Sequence, residues 1–347
     1  MARILYGVTG EGFGHSTRSK EVIRHLEEMG HEVKVVTYDK GYTALAPIFD
    51  VTEISGLHLF YRNNKVQYIE TVFKNFLKIK EVKDSLDIVL KLIKDFKPQI
   101  IFTDLEPLVG LAANLKRIPM ISLDNMHCLT EMKCEFPAKY RKEYLTAKAV
   151  VRMMVYNAKA YLVLDAFGGK SVTKKGFIFP PIVREEVEKL KVNDKNYILV
   201  YLTSAYTALV DVLKKVDQNF VFYGLDRDDR DGNIQYKKIS MDGFLADLAN
   251  CSAIIANAGF SLISEALYLG KPYLAIPVDS QFEQILNAYY LDKFGYGKYY
   301  ENLNVENIEE FLRRLDQYRK NLKNYKREGN GAIFRKVDEL IVKYVKK

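Results

Sequence analysis

Ala253-Ile254-Ile255-Ala256-Asn257-Ala258-Gly259-Phe260-Ser261-Leu262-Ile263-Ser264-Glu265-Ala266, continued by Gly270-Lys271-Pro272 and Gln281-Phe282-Glu283-Gln284, decides the fold. The apolar run Ala253 to Ala256 reads as a strand buried on both faces, as in a parallel sheet. Asn257-Ala258-Gly259 supplies a tight turn, and Ser261 is the expected N-cap of a helix whose apolar face is Leu262, Ile263, Ala266 and Leu267. Gly270-Lys271-Pro272 stops that helix, and Tyr273 to Pro277 reads as the next buried strand. A strand that turns through small residues into a helix aims backbone N–H groups and the positive dipole end at one point, which suits a phosphate. Glu265, one turn along the helix, is placed to accept hydrogen bonds from ribose hydroxyls.

Outward from this centre the strand–helix pattern repeats. Tyr197 to Leu202 reads as a strand followed by the loop Thr203-Ser204-Ala205-Tyr206, with further strands at Phe220 to Tyr223 and near Gln235 to Ile239. At the start of the chain, Ile4 to Thr9 is an apolar strand and Gly10-Glu11-Gly12-Phe13-Gly14-His15 is the loop after it. Ser16 or Thr17 is expected to cap a helix ending near Gly30, before a strand at Val33 to Thr37. Strand signals recur at Gln99 to Thr103, Met120 to Leu123 and Tyr161 to Asp165, with helical patterns between them, Phe73 to Phe96 included. Alternation of this kind implies parallel sheets. Pro180-Pro181 breaks any regular element, so the first domain is expected at 1–181 and the second at 182–330, with a charged helical link from Arg184 to Lys191.

With 347 residues the chain can bury two cores, and 48% hydrophobic with 28% charged residues is a globular composition. Cys128, Cys134 and Cys251 lack paired-ligand spacing, which argues against a disulfide framework or zinc site and fits a reducing cytoplasm. The N-terminus reads as a strand rather than a signal peptide, and no apolar run approaches the roughly 20 residues of a spanning helix. A cytoplasmic protein, soluble or peripheral to a membrane, is expected. The net charge of +8 suits nucleic acid, an anionic membrane or a plain Lys/Arg-rich surface. Without a zinc finger, aromatic RNA-binding motif or basic tail, nucleic acid is not expected as a partner.

Three groups are candidates for proton transfer. His15 ends the glycine-rich loop, and a neutral imidazole there suits removal of a proton from an attacking hydroxyl; a helix-start residue bonding backbone is the plain alternative. Asp104, in Thr103-Asp104-Leu105-Glu106-Pro107, follows a strand at the ligand-binding sheet edge; it can orient His15, act as the base, or cap a helix. His127, in Asp124-Asn125-Met126-His127, is a competing base or an acceptor contact at the same edge. The glycine loop does not have the Gly-x-Gly-x-x-Gly spacing of a dinucleotide site, although Asp39 has the place of a ribose acid.

Gly259…Glu265-Ala266…Gly270-Lys271-Pro272…Pro277…Gln284…Asn287-Ala288 resembles the donor-sugar motif of GT-B glycosyltransferases, in particular the MurG-like and wider UDP-glycosyltransferase groups. The resemblance implies an α/β protein with the GT-B fold. That fold has two Rossmann-like domains whose parallel sheets face across a cleft, and a last helix (331–347, including Ile333 to Val345) returning to the N-terminal domain. It implies inverting transfer from a UDP-sugar to a hydroxyl acceptor, lipid-linked in MurG-like enzymes, with no cofactor. Gly12 and Gly14 then belong to the acceptor loop, with His15 facing the cleft as base. Asn257, Gly259, Phe260 and Ser261 hold the donor diphosphate, joined by Thr203 and Ser204, where the family has a loop with glycine and serine. Phe244 and Leu245, expected before the helix leading to Cys251, present backbone groups to uracil. Gln281, Glu283 and Gln284 bond the sugar, although Gln-Phe-Glu-Gln departs from the family's Asp/Glu-Gln pair. A UDP-sugar 2-epimerase of the same fold and a non-catalytic nucleotide-sugar-binding subunit are the rival readings.

Two stretches stand apart. Asp226-Arg227-Asp228-Asp229-Arg230-Asp231-Gly232 contains the Asp-x-Asp string of metal-dependent transferases, but its arginines neutralise it; a solvated loop and metal-independent activity are expected. Lys133 to Lys159 is basic and contains the apolar residues Val150-Val151 and Met153-Met154-Val155, which suits either contact with an anionic bilayer or burial in the core.

Overall fold

The computed structural model describes residues 1–56, 61–62, 65–66, 79–202, 207–279 and 281–345. The chain divides into two compact units: Met1–Arg62, Val66–Arg184 and Gly329–Lys347 form the first, and the second is chiefly Glu185–Glu328.

In the first unit the strands are β1 (Arg3–Val8), β2 (Glu32–Thr37), β3 (Val51–Glu53), β6 (Ile100–Asp104), β7 (Met120–Asp124), β8 (Ala160–Leu164) and β9 (Gly176–Phe179). The short strands β4 (Tyr61–Arg62) and β5 (Lys65–Val66) pair with each other in a separate two-stranded sheet. The seven-stranded sheet runs β3-β2-β1-β6-β7-β8-β9 and is parallel throughout. Every residue of β6 and β7 is buried, as expected of strands covered on both faces, which is why they read as unbroken apolar runs. The chain builds outward from β1 through β2 and β3, then resumes on the other side at β6. That reversal leaves a crevice at the carboxyl ends of β1 and β6, the usual place for a ligand in such sheets.

The second unit repeats this plan. Its strands are β10 (Ile198–Tyr201), β11 (Phe220–Tyr223), β12 (Arg230–Asp231), β13 (Ile234–Lys237), β14 (Ala253–Asn257), β15 (Tyr273–Ile276) and β16 (Gly297–Tyr299). They are ordered β12-β13-β11-β10-β14-β15-β16, with only the β12–β13 pair antiparallel. Val200, Phe222, Ile255 and Leu274 pack with Ile308 and Phe311 in its core. Here the reversal falls between β10 and β14.

The helices used below are α1 (Phe13–Glu28), α2 (Asp39–Leu45), α3 (Ile79–Phe96), α4 (Pro107–Lys116), α5 (Cys128–Glu131), α6 (Arg141–Met154), α7 (Glu185–Glu188), α8 (Thr207–Leu213), α9 (Met241–Asn250), α10 (Phe260–Tyr268), α11 (Phe282–Lys293), α12 (Val305–Arg313), α13 (Leu315–Leu322) and α14 (Gly331–Tyr344). The part of the expected helix before Ile79 lies outside the described residues. In the first unit α14 docks on α1: the His25 ring stacks on Phe334 at 4.3 Å, and its Nε2 lies 2.9 Å from Asp338. The Asn330 side chain exchanges two hydrogen bonds with the Val183 backbone at the unit's other end.

Helix α1 starts earlier than expected from Ser16 or Thr17. Gly12, at φ 75°, is its N-cap, and both hydroxyls donate back to Phe13 O from inside the first turn. No described helix is long and apolar enough to cross a membrane.

Candidate active site

The first edge is built where β1 ends. A Cβ on Gly10 would lie 2.0 Å from the Tyr38 carbonyl oxygen, so the loop packs too closely for any side chain there. Gly12 takes the left-handed conformation that turns the chain into α1, with Gly14 in its first turn. His15 is the third residue of α1, and Asp104 closes β6 beside it. Their side chains meet at 2.8 Å, Nδ1 to Oδ1.

Arg18, one helical turn beyond His15, locks the pair. Its Nε and Nη2 each bond an Asp104 carboxylate oxygen at 2.6 Å, a bidentate fork, and Nη1 donates to Asn125 Oδ1 at 2.8 Å. Ser19 Oγ adds a bond to Asp104 Oδ2 at 3.1 Å. Burial raises the Asp104 carboxyl, Arg18 and His15 lower it by more, and the net value lies below the ordinary carboxylate range. A fully buried carboxylate held ionised by a guanidinium is a poor proton acceptor for substrate and a good orienter. Arg18 Nη2 also stands 2.8 Å from His15 Nδ1, but a guanidinium only donates; Oδ1 is the anionic acceptor within reach of both. With Nδ1–H directed at Oδ1, the imidazole lone pair lies on Nε2. The side chain keeps 18% of its surface exposed.

His127 does not share this setting. It is 2% exposed, its Nδ1 is 2.7 Å from Asp124 Oδ2, and Tyr161 covers its ring at 4.6 Å. Burial lowers its pKa, Asp124 raises it by more, and the net shift is upward. The same pairing overcomes burial at Asp124 and draws that carboxyl down to about 2. His127 is thus half of a closed ion pair rather than a base open to substrate. Glu106 accepts from the N–H groups of Leu108 and Val109 as the cap of α4, and burial pushes its carboxyl up to about 7.

The second edge is built from backbone. Asn257 ends β14, and α10 begins at Phe260 with Gly259 as its N-cap and no side chain capping it. Ser261 is therefore inside the first turn and is not the cap. The N–H groups of Phe260, Ser261 and Leu262, at the first three helical positions, have no carbonyl behind them within the helix. Gly259 has an ordinary φ of −68°, and a Cβ there would meet nothing within 4 Å. Neither backbone strain nor packing calls for glycine at this point; it leaves open space in front of the turn.

Neutral side chains fix that turn. Gln284 Oε1 accepts from Ala258 N at 3.1 Å and from Val278 N at 3.0 Å, while Asn287 Nδ2 donates to Ala258 O at 3.0 Å. Asn257 Nδ2 donates to Ile276 O, and the Tyr273 hydroxyl donates to Asn257 O. Gln284 is therefore a strut whose Nε2 also donates to Gln281 Oε1 at 3.0 Å. Gln281 is the N-cap residue of α11, and Glu283 lies half-buried in its first turn. Glu265 is buried on α10. Phe244 and Leu245 lie within α9, capped by Ser240, rather than before it; the Phe244 ring is edge-on to Tyr201 and Tyr223, each at 5.3 Å. Thr203 and Ser204 lie outside the described residues.

Arg18, Ser19 and Asn125 join this site without having been singled out from sequence. The available signal was spacing, because residues three apart share a helix face and Arg18 stands three after His15. Asp226 to Asp229 is a largely exposed loop, with Arg227 paired to Asp229 and stacked over Tyr236, while Arg230 and Asp231 of the expected loop form strand β12. Among the described residues no group of three or more His, Cys, Asp or Glu is placed to hold a metal. In the basic segment, Val151 and Val155 are buried while Leu145 and Met153 are exposed. A groove of about 610 Å³ there is lined by Met132, Phe136, Leu145 and Val172 together with Arg141 and Lys148.

Over residues 2–316 the chain matches the sequence profile of Glycosyl transferase family 1. An uncharacterized glycosyltransferase of Methanosarcina mazei is 25% identical over 334 aligned positions, covering 85% of each chain. The UDP-N-acetylglucosamine--N-acetylmuramyl-(pentapeptide) pyrophosphoryl-undecaprenol N-acetylglucosamine transferase of Clostridium novyi is 25% identical over 372 positions, covering 100% of both. Among solved structures, the calicheamicin glycosyltransferase CalG4 superposes with a TM-score of 0.73 at 14% identity, covering 99% of this chain and 98% of its own. The Streptomyces glycosyltransferase SsfS6, complexed with thymidine diphosphate, gives 0.66 at 16% identity, covering 98% and 100%.

Proposed function

The chain belongs to glycosyl transferase family 1 and is a GT-B glycosyltransferase, and we propose that it transfers a sugar from a UDP-sugar to a hydroxyl acceptor with inversion. The observation that carries this reading is the turn Asn257 to Ser261: an uncapped helix start behind a glycine whose missing side chain leaves room for a phosphate. The donor and the undecaprenol-linked acceptor named for the C. novyi relative support a UDP-sugar and a lipid-linked acceptor, and the thymidine diphosphate bound to SsfS6 supports a nucleoside diphosphate donor.

In this reaction the acceptor oxygen attacks the anomeric carbon as its proton passes to His15 Nε2, and the carbon–oxygen bond to the diphosphate breaks. One displacement inverts the centre. Asp104 holds the ring in the required tautomer and stabilises the imidazolium that forms. The N–H groups of Phe260 and Ser261 and the dipole of α10 take up the charge on the leaving diphosphate, with no metal. Glu265 receives the ribose, Phe244 and Leu245 the base, and Gln281 and Glu283 the sugar hydroxyls, while Gln284 acts through the turn. Gly12 and Gly14 let the acceptor approach. The groove beside Arg141 and Lys148 supports contact between the first unit and an anionic membrane surface.

Product analysis of the purified protein with UDP-sugars, with and without a lipid-linked hydroxyl acceptor and in excess EDTA, tests the reading. Glycosylated acceptor of inverted configuration, formed equally well with EDTA, is expected. Conversion of the UDP-sugar to its 2-epimer without acceptor would overturn the transferase reading. Loss of transfer on chelation, restored by Mg²⁺ or Mn²⁺, would overturn the metal-free one.

A further inference from the structure

Cys128 opens the short helix α5, which ends at an extended Met132 that bridges to Ser171. Cys134 Sγ then donates to the Cys128 carbonyl at 3.3 Å. The two thiols are also within hydrogen-bonding reach of each other. Both residues are reduced and half-buried, and Cys134 lines the open groove at α6. The Cys134 thiol sits below its ordinary range, first because the Cys128 thiol bonds it and then because Lys148 is near, against burial and Asp165. Cys251 is the internal contrast, fully buried and pushed up to about 12.

We propose that Cys128 and Cys134 are a peroxide-responsive modification site that closes to an intrachain disulfide in the wall of this groove. The Cys134 thiolate attacks one peroxide oxygen, the O–O bond breaks, and Cys134 becomes a sulfenic acid as water or an alcohol leaves. Cys128 then attacks that sulfur, the S–S bond forms, and the hydroxyl departs as water with the second thiol proton. Two thiols give up two electrons to one peroxide. The pair has neither the spacing of a metal site nor that of a Cys-x-x-Cys redox motif; the end of α5 and the segment after it bring it together. The inference is independent of the reaction proposed above.

Intact mass and thiol titration after stoichiometric hydrogen peroxide test it. Wild type is expected to become two hydrogens lighter, to lose two of its three thiols without a covalent link to another chain, and to regain them with dithiothreitol. Cys134→Ser should slow thiol loss by about tenfold or more, and Cys128→Ser should leave a sulfenic acid that dimedone traps. Equal rates in wild type and Cys134→Ser would overturn the proposal. So would oxygen addition without an internal disulfide, or a disulfide that joins two chains.

Discussion

The edge of the first sheet is held by charges, and the edge of the second by neutral groups. At β1 and β6, buried Asp104 is gripped by Arg18 and Ser19, also buried, and by the partly exposed His15. At β14 and β15, Gln284, Asn287 and Tyr273 hold the turn through backbone N–H and C=O groups. The materials suit different tasks. A proton-transfer group needs one tautomer and a counter-charge, which a buried carboxylate provides. An anion site needs rigid amides without a competing anion in the turn itself, which neutral struts provide. The charged edge should therefore respond to single deletions and to pH more sharply than the neutral one.

The largest expected effect is on turnover. His15→Ala should lower it roughly 10²–10⁴-fold with UDP affinity unchanged, measured by steady-state kinetics beside calorimetry. Near-normal turnover would strip the charged edge of its chemical role. Arg18→Met should cost about 3–5 kcal/mol in urea unfolding, because it leaves Asp104 charged, buried and unpaired. A loss under about 1 kcal/mol would mean that water reaches the carboxylate and that the two edges differ less than their bonds suggest.

Gln284→Leu should cost roughly 2–4 kcal/mol by stranding the Ala258 and Val278 N–H groups, and should weaken UDP binding although Gln284 is itself engaged with backbone. Full UDP affinity in that variant would show that the turn holds its shape unaided. The smallest effect concerns acid. The Asp124 carboxyl titrates at about 2 when folded, below its unfolded value, so its contribution is present above about pH 4 and lost as pH falls through 2. His127 is raised, so its contribution is present below about pH 6.5 and lost as pH rises through its folded value. Melting curves should show a loss of roughly 2 kcal/mol between pH 4 and 2, and Asp124→Asn should flatten both limbs. An unchanged acid limb in that variant would move the sensitivity elsewhere.

The central strands were legible because burial on both faces writes them as apolar runs: Ile4 to Val8, Ile100 to Phe102 and Ala253 to Ala256 need no partner to be recognised. The edge strands β3 and β16 are three residues long, half-exposed and interrupted by polar residues, so they carry no such signature. The start of α1 was misplaced because a glycine conformation at Gly12, rather than a hydroxyl, sets the boundary. The Arg18–Asp104 fork joins residues 86 apart, and the Gln284 bond to Ala258 depends on how two strands lie side by side. Local pattern records neither. A residue type can suggest a candidate, as at His15, while its partners Asp104 and Arg18 are set by the fold.

The docking of α14 onto α1 bears on how the protein comes into being. Because Gly329–Lys347 belongs to the first unit, a ribosome must issue all of Glu185–Glu328 before that unit receives its last helix. The second unit has its whole sequence in hand earlier, and can close while Phe334 is still absent from the His25 ring. The unit that carries His15 thus waits for the other to be synthesised before α14 can close it.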